Sequence, residues 1–407
     1  MDDNERTERF DHLFAEPVRE TLGESTYGEW RSISAPDAAP LGVGFPYPES
    51  FPNDDLVDAA DAVFDEEGDT ALQYGGSDYG DQLVEAIVER ARERGIDCDD
   101  DQVLLTNGGT NAVDAICRTF LDPGDTLFVE APTFMGVLKL FGNFGVEVEG
   151  FPVDEDGLDV DAVARELEAR REDGRELPTV FYTIPTFQNP TGTTLSLDRR
   201  ERLLDLAAEY DFVVLEDDAY GDLRYEGDDV PTLAELDEDG RVVHVGTFSK
   251  TIAPGVRTGW VIAHPEIHAQ VRRMNAGGTN TFTRGVLGRY CTDGAFEENL
   301  AELREAYAER LDHTLRCLDE HMPPEVEWTE PEGGFFVWVE FPEGADTDEL
   351  LADAAEEGVV YLPGSMFFPD DSGENGLRLS FSFASLDEID SGIEALARVA
   401  SSATAEH

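Results

Sequence analysis

Between about residues 54 and 290, short apolar runs alternate with amphipathic helical stretches. No other feature narrows the possible folds as much. Residues 83–94 carry helical apolar spacing and stop at Gly95, Val103-Leu104-Leu105 is a run of buried-strand type, and 112–121 is helical again. Leu127-Phe128-Val129 and the runs 180–184, 212–215, 242–247 and 260–263 continue the series, with helical segments such as 198–210 between most of them. A strand apolar on both faces has to be covered on both faces, and helical crossovers supply that cover. The expectation is an α/β protein with a mostly parallel sheet sandwiched by helices. Beyond 290 the pattern changes. A long charged amphipathic helix, 296–321, precedes strand candidates at 335–341 and 378–383 and helices near 347–357 and 386–399, which reads as a smaller α+β unit. The expected organisation is an N-terminal arm over 1–50 that packs with the small domain, a large domain over 51–290 and a small domain over 291–407. No repeat of 20–50 residues is visible.

Composition excludes several classes of function. Twenty-nine basic residues against 90 acidic ones leave a net charge of −61. A nucleic-acid binder needs a broad basic surface, and an anionic membrane repels such a chain. The acids are dispersed, the longest aspartate run being Asp99-Asp100-Asp101, so the excess is a property of the whole surface. In molar salt the Debye length is about 3 Å and that self-repulsion is screened, so a halophilic source is expected. Four separated cysteines, Cys98, Cys117, Cys291 and Cys317, read as small buried hydrophobes in a reducing compartment. No apolar stretch approaches 18 residues, and the acidic opening Met1-Asp2-Asp3-Asn4-Glu5 does not read as a secretory signal. A cytoplasmic location is expected, with no nucleic-acid or membrane partner.

Lysine usage is the sharper clue. Only Lys139 and Lys250 occur, against 27 arginines. An arginine cannot lose its proton in a protein, whereas a lysine amine can become a nucleophile. Lys250 ends Thr247-Phe248-Ser249-Lys250, with hydroxyls three and one residues before it and Arg257 seven residues after. No glycine precedes the lysine, so this is not a Walker A loop. The set suits a phosphorylated carbonyl cofactor, the lysine making an imine and the others holding phosphate; the alternative is a surface lysine. Thr106-Asn107-Gly108-Gly109-Thr110-Asn111 follows a strand and opens a helix, where backbone N–H groups and the helix dipole favour an anion, although such turns are often purely structural. The similar Gly277-Gly278-Thr279-Asn280 follows a helical stretch and reads as a helix-ending loop. Glu216-Asp217-Asp218-Ala219-Tyr220 sits at the C-terminal end of an apolar strand, where open parallel sheets bind ligands, or else forms a solvated acidic turn. Asn189-Pro190-Thr191-Gly192 also follows a strand, and alone it is a plain turn.

Taken in order, these motifs resemble the class I/II aminotransferases, members of the fold-type I pyridoxal-phosphate enzymes. The resemblance spans roughly residues 40–400. It implies that Lys250 joins the cofactor covalently and later moves a proton, and that Asp217 pairs with the pyridine nitrogen. It implies that Asn189 and Tyr220 bond the ring's phenolic oxygen and that Phe134 stacks on the ring. Gly109, Thr110, Thr247, Ser249 and Arg257 would hold the phosphate. Arg378, in Leu377-Arg378-Leu379-Ser380-Phe381, would grip the substrate α-carboxylate beside Gly44. Tyr74, in Leu72-Gln73-Tyr74-Gly75, would reach the phosphate of a neighbouring subunit, which implies a homodimer with shared active sites. The implied reaction moves the α-amino group of an amino acid to a 2-oxo acid, with 2-oxoglutarate as the expected acceptor, in a ping-pong cycle. A lyase or decarboxylase on the same scaffold is the alternative, because one cofactor serves several bond cleavages. A non-enzymatic regulator built on this domain is a remote one.

The pattern departs from the family in three places. Gly108-Gly109-Thr110 stands where Gly-Ser-Gln is usual, Val43-Gly44-Phe45-Pro46 replaces Gly-Gly-Leu-Pro, and Tyr79-Gly80 reverses the usual Gly-Tyr. The last two leave substrate specificity open. Leu72-Gln73-Tyr74, Glu216-Asp217-Asp218-Ala219-Tyr220 and Leu362-Pro363-Gly364-Ser365 look most like the aminoadipate/kynurenine-type subgroup. There an N-terminal arginine can read a side-chain carboxylate, and Pro17-Val18-Arg19 resembles that site; Arg19 can equally be an exposed arm residue. No metal site is expected. His264 and His268 are four apart, but Pro265 places His264 outside the helix.

Overall fold

The computed structural model describes residues 10–14, 37–74, 78–276, 278–370 and 372–405. The apolar runs become strands: β1 (Val103–Thr106), β2 (Thr126–Ala131), β3 (Glu147–Asp154), β4 (Gly157–Leu158), β5 (Val180–Thr183), β6 (Val213–Asp217), β7 (Val242–Thr247) and β8 (Gly259–Ala263). They form one sheet in the order β1-β8-β7-β6-β5-β2-β3-β4. The interior pairs β3–β2, β2–β5, β5–β6 and β6–β7 are parallel. β8 runs antiparallel to both β7 and β1, and β4 antiparallel to β3. Successive side chains feed opposite faces. Leu127, Val129, Val180, Tyr182 and Leu215 pack with Ala112, Val113 and Ile116 of the helix Gly109–Phe120. Their neighbours Phe128, Phe181 and Val214 pack with Val163, Leu167, Leu203 and Leu206 of the helices Val160–Asp173 and Leu197–Tyr210. The two apolar layers make the sheet a sandwich filling. β3 was not legible as an apolar run: Glu-Val-Glu-Gly-Phe-Pro-Val-Asp carries two glutamates and a proline, and only Phe151 on it is buried.

A second sheet of β9 (Glu327–Trp328), β10 (Phe336–Glu340), β11 (Leu362–Pro363) and β12 (Gly376–Ser380) is wholly antiparallel, in the order β11-β12-β10-β9. The helices Ala295–His321 and Leu386–Ala405 share a core with it through Leu311, Leu318, Ile393 and Leu396. The helix expected from residue 347 begins later, as Leu351–Glu357. Thr347 is tied to the sheet instead, its hydroxyl donating to the Gly376 carbonyl at 2.6 Å and its carbonyl accepting from Tyr361 at 2.7 Å. Residues 37–50 lie along this sheet. Ala39 bridges Val359, Ser380 N–H donates to the Leu41 carbonyl at 2.6 Å, and the Ser382 hydroxyl donates to the Phe45 carbonyl at 2.8 Å. That path brings Gly42-Val43-Gly44-Phe45 to the C-terminal ends of the parallel strands.

Candidate active site

At those strand ends lies a cavity of about 530 Å³. It gathers Gly44, Gly109, Thr110, Phe134, Asn189, Asp217, Tyr220, Thr247, Ser249, Lys250, Arg257 and Arg378, residues from eight separate stretches of chain. A larger cavity of about 830 Å³ adjoins residues 191–194, but six carboxylates wall it and no lysine or arginine does. It offers no amine to bond a carbonyl and no cation to hold an anion.

Lys250 stands in the turn after β7. Its Nζ donates to the Gly44 carbonyl at 3.1 Å and lies 5.5 and 5.4 Å from the ring centroids of Tyr220 and Phe335. Burial, reinforced by the Arg378 charge and opposed by Asp217, brings its amine down to about 8. A lysine so placed has a substantial neutral fraction near neutral pH, which nucleophilic attack requires. Lys139, by contrast, is exposed on the helix Met135–Gly142. Asp217 ends β6, and burial pushes its carboxyl up to about 6, while a hydrogen bond from the Tyr182 hydroxyl at 2.8 Å works the other way. Its neighbour Asp218 does not line the cavity. It pairs with Arg94 and lies 3.8 Å from His244 Nε2.

One side of the cavity is built for an anion. Gly108 caps the helix Gly109–Phe120 at φ 88°, offering no side chain to the leading N–H groups. A Cβ there would come within 2.4 Å of the Arg257 guanidinium, so only glycine admits that arginine. Arg257, itself in the left-handed region at φ 47°, donates to the Asn107 carbonyl at 2.9 Å. The Thr247 and Ser249 hydroxyls lie 2.9 Å apart in the same wall. Gly278 touches this region from outside, the Asn107 side chain donating to its carbonyl at 2.8 Å. Asn280 caps the next helix, Thr281–Thr292.

The opposite side presents Arg378 from β12. Its guanidinium donates to Asn189 Oδ1 at 3.0 Å and to the Gly42 carbonyl at 2.9 Å, and stacks 4.1 Å from the Phe336 ring centroid. A side chain at Gly44 would strike Phe336 at 2.7 Å, which explains glycine at that point. Asn189 also hydrogen-bonds Tyr220, whose phenol burial raises well above its ordinary range. The loop carrying Asn189 hangs on buried Glu130, which accepts from Thr183, the Ile184 N–H and Gln188. Tyr182, Glu130, Ile184, Ala219 and Phe336 were not singled out from the sequence. Tyr182 carried a signal, since a tyrosine inside a fully buried strand needs a partner for its hydroxyl.

Tyr74 is 98 % exposed and does not line the cavity of its own chain. Arg19 lies outside the described residues. Tyr79 and Gly80 also stay out of the cavity: the Tyr79 hydroxyl donates to Glu66, and Gly80 packs on Arg284. His264 caps the helix Pro265–Met274 and so lies outside it, as Pro265 implied.

Comparison with known proteins agrees with this geometry. Residues 40–396 match the family model for aminotransferase class I and II. The aromatic-amino-acid aminotransferase 1 of Thermococcus litoralis is 39% identical over 372 residues, 90% of this chain and 88% of that protein. The crystal structure of a multiple substrate aminotransferase from Thermococcus profundus superimposes with a TM-score of 0.92 at 37% identity, covering 98% of this chain and all of that one. The alpha-aminoadipate aminotransferase of Thermus thermophilus, solved with N-(5'-phosphopyridoxyl)-L-leucine, gives a TM-score of 0.88 at 33% identity, covering 98% of this chain and all of that one. The chain therefore belongs to the class I and II aminotransferases. It is an enzyme of fold type I that uses pyridoxal 5'-phosphate to move an α-amino group from an amino acid to a 2-oxo acid, in two ping-pong halves.

Proposed function

We propose that the cavity works as a transaminase site with broad specificity for aromatic and long-chain amino acids, with 2-oxoglutarate as the usual acceptor. The carrying observation is that one cavity holds a lysine with a lowered pKa and, facing it, an arginine held by neutral acceptors. The donor set fits the cofactor. Gly109, Thr110, Thr247, Ser249 and Arg257 would hold the phosphate, Lys250 would bond the aldehyde carbon, and Asp217 would face the pyridine nitrogen. Phe134 would cover the ring, while Asn189 and Tyr220 would bond its phenolic oxygen. When bound, the cofactor supplies an electron-withdrawing ring that makes the substrate Cα–H acidic. The chain does the rest. Arg378 and Gly44 orient the α-carboxylate, and the Arg378 fork is matched to two carboxylate oxygens. Lys250 Nζ, freed from its bond, takes the proton from one carbon and returns it to another, and a pKa near 8 suits both directions. Val43, Phe45, Met135, Phe336 and Leu362 line the cavity, an apolar wall suited to a large side chain. A donor screen against 2-oxoglutarate in molar KCl tests this, with aromatic, aminoadipate, branched and acidic amino acids. Release of carbon dioxide without glutamate would overturn it.

The same reading assigns residues 1–50 to the arm, 51–290 to the large domain and 291–407 to the small one, in a cytoplasmic homodimer. No helix among the described residues is long and apolar enough to cross a membrane. Tyr74 and its exposed neighbours Leu72 and Phe64 would be covered by a second copy, with Tyr74 reaching that copy's phosphate site. The charge of −61 adapts the dimer to high salt. Sedimentation and cofactor absorbance across a KCl series should fall together on dilution, because the Debye length grows from about 3 Å at 1 M to about 10 Å at 0.1 M. An intact, loaded dimer at 50 mM salt would remove both statements.

A further inference from the structure

On the helix Ala295–His321, His313, Cys317 and His321 recur every four residues, so they stack along one face. On the C-terminal helix Leu386–Ala405, Asp390 and Glu394 are spaced in the same way. The two rows meet. His313 Nε2, Cys317 Sγ and an Asp390 carboxylate oxygen all lie within 4.8 Å of one another. Nε2 and Sγ each stand 2.9 Å from Asp390 Oδ1, and one turn further on His321 Nε2 lies 3.9 Å from Glu394 Oε1.

We propose that His313, Cys317 and Asp390 form a binding site for a divalent transition ion of the zinc type, with its fourth position open to water or to the His321–Glu394 pair. Nitrogen, sulfur and oxygen donors converging from two packed helices form a coordination set, and neither a solvated acidic face nor a lone thiol would assemble one. Metal–ligand bonds of about 2.0–2.3 Å place tetrahedral ligands roughly 3.3–3.8 Å apart, which small side-chain rotations reach from the spacings above. His313 Nε2 is buried, and its approach to Asp390 has ion-pair distance without hydrogen-bond geometry. Asp390 is half exposed, so an ion has a way in. Thiolate and imidazole favour zinc, cobalt, nickel or copper over magnesium and calcium.

Binding replaces the thiol proton. The S–H bond breaks, an S–metal bond forms, and one proton per ion leaves to solvent. The burial and the Asp390 charge that push the Cys317 thiol up to about 12 make that proton the main cost. Arg316 adds a smaller one. Its guanidinium lies 3.2 Å from His313 Nδ1, and it must turn to solvent when Nε2 takes the ion and Nδ1 carries the proton. No residue of either helix lines the cavity that holds Lys250, so the ion would clamp the C-terminal helix and take no part in transamination.

The test is a Co²⁺ titration of the purified holoenzyme, read in the red, where tetrahedral cobalt absorbs and neither protein nor cofactor does. One ion per chain should bind, be displaced by Zn²⁺ and raise the melting temperature. Cys317→Ser and His313→Gln should weaken it by more than the roughly 10–100-fold typical of losing an outer-shell partner. Cys291→Ser should not weaken it, and turnover should be unchanged in all three. Absence of the band, or a band that survives Cys317→Ser and His313→Gln, would overturn the site. Should Cys317→Ser fold poorly, His313→Gln, on the more exposed edge, carries the decision alone.

Discussion

Asp217 and Asp218 are chain neighbours at the end of β6, yet they serve opposite faces of the sheet. Asp218 is held below the usual carboxylate range: burial works against it, but the Arg94 guanidinium and His244 outweigh burial. Glu216, one residue earlier, is satisfied in the same region by the Leu233 and Ala234 N–H groups at 2.8 and 3.1 Å and by His244 Nδ1 at 3.0 Å. Asp217 faces the cavity with a neutral phenol for a partner, and burial pushes it up to about 6. A buried carboxylate whose cation belongs to the chain is a structural element. One that faces a cavity beside a neutral donor is placed to receive a cation, and burial raises its pKa. Linkage gives the two opposite signs. Asp218 adds stability above its ordinary pKa, and this is lost as pH falls through its depressed value. Asp217 costs stability as pH rises from the ordinary carboxyl range through about 6, because over that window the folded chain holds the extra proton.

The largest expected effect tests the cavity side as a whole. Lys250→Ala should remove turnover by at least the roughly 10²–10⁴-fold that a positioned proton carrier supplies, with the fold intact. Borohydride should fix cofactor to Lys250 and leave exposed Lys139 unlabelled, and label at Lys139 would break the assignment. Next comes the direct contrast. Asp217→Asn should keep its melting temperature and lose about 10²–10³-fold in kcat, since an amide cannot stabilise a protonated ring nitrogen. Asp218→Asn should do the reverse, keeping most of kcat per folded molecule while losing roughly 3–5 kcal/mol of stability by leaving Arg94 poorly paired. Exchanged outcomes would mean that the roles of the two aspartates have been swapped.

That contrast marks how far the sequence could be read. Strand ends, glycine turns and the isolated lysine are local features, and they drew attention to Lys250 with Arg257 and to the segments that hold Asn189 and Asp217; Arg378, and Asp217 in preference to Asp218, came from the family resemblance alone. What separates Asp217 from Asp218 is not local. It depends on Arg94, 124 residues away, and on Tyr182, 35 residues away. No spacing within Glu216-Asp217-Asp218 reveals which carboxylate meets which cation. β3 was missed for a related reason, as its register with β2 and not its own hydrophobicity makes it a strand. Arg378 lines the cavity, its guanidinium donating to Asn189 Oδ1 and to the Gly42 carbonyl. Arg378→Lys keeps the charge and loses the fork, so KM should rise about tenfold or more for every amino donor while kcat falls less. A rise confined to one class of donor would make Arg378 a reader of side chains.

The smallest expected effect concerns the one partner that Asp217 does have. Tyr182 donates at 2.8 Å and is the strongest of the influences that hold the Asp217 pKa down against burial. Tyr182→Phe removes that donor without opening space, because the ring that packs 5.5 Å from Phe141 remains. In the cofactor-free protein the carboxyl should then titrate above about 6, so the pH below which cofactor binding weakens moves toward neutral. A hydrogen bond to a charged group is worth about 1.5–3 kcal/mol, and the affinity for cofactor at pH 6 should fall by that amount, roughly tenfold to a hundredfold. Well above the shifted titration Asp217 is ionised in both proteins, so the loss should shrink to a few-fold. A purely packing role for Tyr182 predicts something else, a uniform loss at every pH with the titration unmoved. The same substitution made in Asp217→Asn separates the two. With no carboxylate left to tune, Tyr182→Phe should add almost nothing, and a full additional loss there would show that Tyr182 acts through some group other than Asp217.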